Sequence, residues 1–105
     1  MKMMIVLNEN KLNELGYNAS DCYNKLDKVF SANGIESIGL GIYEGNDSYF
    51  QVFSVLFSLL TEVNWILLSA EKWFWWVTDE EQPDDCLKDL YELGKLPVGA
   101  VYAPN

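Results

Sequence analysis

The stretch NASDCYNKLDKVFSANGIESIGLGIY, residues 18–43, decides the fold. Its first part repeats the apolar side chains Cys22, Leu26, Val29 and Phe30 at helical spacing, behind Asn18, a residue type that caps helix N-termini. Asn33-Gly34 ends that helix, because glycine takes the left-handed closing conformation at no steric cost. From Ile35 to Tyr43 the period falls to two, with Ile38, Leu40 and Ile42 alternating with Ser37, Gly39 and Gly41. A helix running straight into a strand points to a mixed domain, and the small face of that strand lets another backbone approach closely.

Upstream, Met3–Leu7 reads as a first strand and Asn8–Leu15 as a short helical turn stopped by Gly16. Downstream, Gly45-Asn46-Asp47 turns the chain into a helix from Ser48 to about Val63, whose polar positions are Gln51, Ser54, Ser58, Thr61 and Glu62. So narrow a polar stripe predicts a mostly buried helix. Trp65–Ser69 and Lys72–Thr78 read as two strands joined by Ala70-Glu71, with a helix continuing to Lys72 as the alternative. A third helix carries Cys86, Leu87, Leu90 and Leu93 and is closed by Gly94, and Val98–Tyr102 reads as a last strand. The expected architecture is one α+β domain over residues 1–105, a single-layer mixed or antiparallel sheet of four to five strands packed against two to three helices.

The missing residues constrain chemistry more than those present. The 105-residue chain has no histidine, and its seven cations are all lysine. Without imidazole there is no Ser-His or Cys-His pair and no zinc site of the usual histidine-containing kinds. Without guanidinium there is no bidentate clamp for phosphate or guanine. The sequence thus points to no catalytic residue, cofactor or metal. A calcium loop in the acidic stretch fails on spacing and on the absent central glycine. Gly39, Gly41 and Gly45 do not form a dinucleotide fingerprint, since the first two fall within the expected strand.

Sixteen acidic residues against seven lysines give a formal charge of -9, which repels nucleic acid and anionic membrane surfaces alike. The apolar run Tyr49–Leu68 contains Glu62 and Asn64, so it does not read as a membrane span. Nor does Met1–Leu7, cut short by Asn8-Glu9-Asn10, read as an export signal. A cytoplasmic location follows as the expectation, with Cys22 and Cys86 as reduced, buried thiols.

Residues 79–92 hold seven carboxylates and one lysine, -6 of the total -9. Asp79, Glu80, Glu81, Asp84, Asp85, Asp89 and Glu92 are therefore the candidate surface for a basic protein partner. The corresponding function is a small acidic, non-enzymatic interaction or regulatory protein of the inhibitor, immunity or nucleic-acid-mimic type. Small acidic immunity, anti-restriction and anti-CRISPR proteins resemble the chain in size and charge only. One alternative is a small-molecule-binding or enzymatic domain with an aromatic pocket around Trp65, Trp73 and Trp75. Another is a structural subunit that forms a homodimer through the Lys72–Thr78 strand.

Overall fold

The computed structural model describes residues 1–78 and 82–104. In chain order the elements are β1 (Lys2–Leu7), α1 (Glu9–Glu14), α2 (Ala19–Ser31), β2 (Glu36–Gly39), β3 (Ile42–Glu44), α3 (Phe50–Leu60), α4 (Asn64–Ser69), β4 (Ala70–Trp76), β5 (Asp84–Asp85) and α5 (Cys86–Glu92). Among the described residues five strands form one sheet in the order β2-β3-β1-β4-β5, antiparallel at every pairing. The α+β class and the strand number follow the sequence reading. The five helices exceed the expected two to three because α1 and α4 are separate six-residue pieces.

Period-two alternation in β1 sorts the sheet into two faces. Met3, Ile5 and Leu7 are buried, whereas Lys2, Met4 and Val6 are half-buried. Cross-strand register puts Tyr43 and Trp75 beside Met3, and Trp73 beside Ile5, so these aromatics share the core face. Phe30 of α2 stacks on Tyr43 with centroids 3.8 Å apart, and Phe53 and Phe57 of α3 lie over Trp75. Where the β1 register shifts between Val6 and Leu7, the Leu7 amide donates to the Tyr23 hydroxyl at 2.9 Å. Helix α2 thereby satisfies a backbone group that the ladder leaves free.

Four expectations are corrected. Residues 35–43 are not one strand but a hairpin, because Gly41 adopts φ +71° and turns the chain between β2 and β3. Ile38 and Leu40 consequently flank the turn as exposed side chains. Residues 64–69 are helical rather than extended: adjacent Ile66 and Leu67 are both buried, which a helix achieves and an alternating strand does not. Helix α3 is not mostly buried, since Phe50, Val55 and Leu59 are about half exposed or more. Residues 98–102 form no strand; the Val101 amide donates to the Leu68 carbonyl, holding that segment against the end of α4.

Candidate acidic and aromatic surface

The sheet has a second face, opposite the core. Along one row, register aligns Ile42, Met4, Phe74 and Asp85; along the next it aligns Glu36, Glu44, Lys2 and Trp76. None of Met4, Val6, Ile42, Phe74 and Trp76 packs against the buried core cluster. Phe74 and Trp76 approach each other with ring centroids 6.0 Å apart, and the Lys2 ammonium lies 4.4 Å from the Trp76 ring centroid. The indole face of Trp76 is therefore already in use as a cation site.

At its β5 edge this face passes into carboxylates. The Asp85 side chain accepts from the Lys88 amide and caps α5, and from there Asp89 and Glu92 follow at i+4 and i+7, on one side of the helix. Tyr102 stands among them, 6.1 Å from the Tyr91 ring. Desolvation first, then the charges of Asp85 and Glu92, with Tyr91 and Asp89 behind them, push the Tyr102 phenol up. Burial, followed by Asp84, Asp89 and Asp85, likewise pushes the Cys86 thiol up to about 12. In both side chains burial comes first, and the nearby carboxylates add to it.

Asp84, Asp89 and Glu92 are exposed and Asp85 is half-buried. Among the described residues the only ion pairs are Met1–Asp47 and Lys11–Glu14, so no α5 carboxylate is held in an ion pair with lysine, although Lys88 lies on the same helix. The geometry brings together four of the seven acidic residues expected from the sequence, while Asp79, Glu80 and Glu81 lie outside the described residues.

The tryptophans are arranged differently from the sequence expectation of an aromatic pocket. Trp73 is fully buried against Phe57, Trp75 lies half-buried among Phe50, Phe53 and Phe57, and Trp65 is half-buried beside Tyr17. The indole N–H groups of Trp73 and Trp75 are buried without a hydrogen-bond partner among the described residues. Three surface depressions are lined by other residues altogether. Strand β4 lies between β1 and β5, so pairing two copies edge to edge at Phe74-Trp75 requires β5 to be displaced. The aromatics on the face opposite the core are instead Phe74 and Trp76, both half-buried. Their signal was present in the sequence, because alternation within 73–76 forces them opposite to Trp73 and Trp75.

Both thiols are free and buried, and burial raises the Cys22 pKa as well. Among the described residues no group of three or more Cys, Asp or Glu side chains stands close enough to hold a metal ion, and no helix is long and apolar enough to cross a membrane. Compared with family models, curated proteins and solved structures, the chain matches none.

Proposed function

We propose that this chain is a non-enzymatic interaction protein that binds a basic protein partner through Asp84, Asp85, Asp89 and Glu92, with Phe74 and Trp76 as the adjoining contact. The observation that carries this reading is the stripe Asp85–Asp89–Glu92: carboxylates at i, i+4 and i+7, without a lysine ion pair among the described residues, whose first member Asp85 is aligned with half-buried Phe74. Asp85 as the cap and Asp89 in the first turn suit the positive end of the α5 dipole, so these carboxylates are tolerated by the fold while remaining available to a cationic partner. Carboxylates and an indole face are both cation-binding groups, and Lys2 over Trp76 provides an internal example. Glu36 and Glu44 at the opposite edge of the sheet disfavour phosphate on the same surface.

The test compares two variants of equal charge. One carries Asp84→Asn, Asp85→Asn, Asp89→Asn and Glu92→Gln, which keeps a capping residue at position 85. The other carries Glu9→Gln, Glu14→Gln, Asp21→Asn and Glu62→Gln, all away from the sheet face opposite the core. Each is used to capture partners from native extract at roughly 50 and 500 mM salt. Loss of a basic partner from the first variant alone, together with loss from the wild type at high salt, supports the reading. Equal loss from both variants, or retention by both, refutes it.

A further inference from the structure

Strand pairing sets Lys2 between two unlike neighbours. On the sheet face opposite the core it stands across from Glu44 of β3 on one side and Trp76 of β4 on the other, with Glu36 beyond Glu44 in the same row. Side chains directly opposite across antiparallel strands come close enough to interact, so the ammonium has both a carboxylate and an indole within reach. It takes the indole: Lys2 Nζ lies 4.4 Å from the Trp76 ring centroid, whereas no ion pair joins Lys2 to Glu44 among the described residues. Lys25 of α2 also approaches a ring, that of Tyr17, but at the longer distance of 5.7 Å.

The Lys2 contact adjoins the acidic stripe. Phe74 lies 6.0 Å from Trp76 and is itself aligned with Asp85, so the ring that Lys2 occupies is one row away from the first carboxylate of the stripe. A cation of a partner that uses the same indole face must displace the Lys2 ammonium. Arginine suits that position better than a second lysine. Its planar guanidinium stacks on an aromatic face and still presents N–H donors at its rim, where Asp85 is the diagonal neighbour of Trp76 across β4 and β5.

We propose that Lys2 is a built-in competitor for the Trp76 indole face, and that an arginine side chain of the basic partner takes over this face on binding. The proposal rests on the reading of the acidic and aromatic surface given above, and adds to it the residue type that the partner presents and the contact that holds the free surface closed. A contact of the strength usual for exposed cation–π pairs keeps the affinity for the partner about two- to five-fold below that of the same surface with the ring free.

The test titrates N-acetyl-hexaarginine amide into the whole chain at roughly 50 mM salt, with calorimetry for the affinity and NMR for the Lys2 ε-methylene protons. In the free protein the Trp76 ring current is expected to shift those protons upfield, and saturation with the peptide to return them to the ordinary lysine position. Lys2→Thr removes the competing ammonium and suits a strand; it is expected to bind the peptide about two- to five-fold more tightly than Lys72→Thr. Lys72 is the charge-matched control, exposed on the same sheet face opposite Val6. Lys2→Arg keeps the charge and stacks at least as well, so it is expected to bind no more tightly than the wild type. Equal affinities of the two threonine variants, Lys2 methylene protons that do not move on saturation, or a gain on Lys2→Arg overturns the proposal. Its failure is distinct from failure of the surface. If the Asp84, Asp85, Asp89 and Glu92 variant loses the peptide while Lys2→Thr and Lys72→Thr behave alike, the acidic surface stands without displacement of Lys2. A peptide that the wild type does not bind, or that this variant binds equally well, refutes both.

Discussion

Gly41→Ala is the substitution that most directly tests how the sheet is assembled. Gly41 has φ +71°, and a Cβ added there falls 2.1 Å from the Ile5 carbonyl oxygen and 3.0 Å from Tyr23 Cε1. The left-handed conformation alone costs alanine about 1–2 kcal/mol. The obstacle is backbone of the central strand, which no rotamer change relieves, so overpacking adds about 1–3 kcal/mol. Moving the hairpin away also sacrifices the 2.8 Å bond from the Ile5 amide to the Gly41 carbonyl, worth about 1 kcal/mol. The sum is roughly 3–6 kcal/mol, a large part of the 5–15 kcal/mol that holds a typical domain together. Gly94→Ala is the control: φ is +69° there, but nothing lies within 4 Å of the added atom, so only the conformational cost of about 1–2 kcal/mol applies. Urea denaturation followed by tryptophan fluorescence measures both. If Gly41→Ala destabilises no more than Gly94→Ala, the close packing of the β2–β3 hairpin on β1 is refuted.

Tyr43→Phe removes a hydroxyl that donates to Asp27 at 2.6 Å but leaves the ring stacked on Phe30, so a loss of about 1.5–3 kcal/mol is expected by the same denaturation assay. In the wild type, burial followed by the Asp27 contact pushes the Tyr43 phenol far above its ordinary range; an alkaline absorbance titration should lack one tyrosine until the protein unfolds, and Tyr43→Phe should remove that late step. Cys86 makes stability pH-dependent in a calculable direction. The unfolded chain releases this proton near 9.0 while the folded chain holds it to about 12, so its contribution is complete below pH 9 and declines as pH rises between those values, by up to roughly 4 kcal/mol. Cys86→Ala should flatten the fall in stability between pH 9 and 10, and an unchanged slope would assign that fall to other groups.

The helices with caps were the legible part of the fold. Asn8 and Asn18 accept from Lys11 and Asp21 amides, and Gly34 takes φ +79° after α2, as residue chemistry alone requires. What stayed hidden depended on contacts distant in sequence. Nothing local distinguishes Ile38-Gly39-Leu40-Gly41 as the end of a hairpin from the middle of a strand; that is settled by Gly41 meeting Ile5. Residues 64–69 form an apolar run too short for periodicity to separate helix from strand, and their fate is fixed by packing. For the acidic surface, the i, i+4, i+7 stripe could be read from spacing once the helix was recognised, whereas the alignment of Asp85 with Phe74 needed the two-residue strand β5. The exposed side of α3 misled for a physical reason: apolar composition alone does not separate a helix face that packs inside the chain from one that stays exposed.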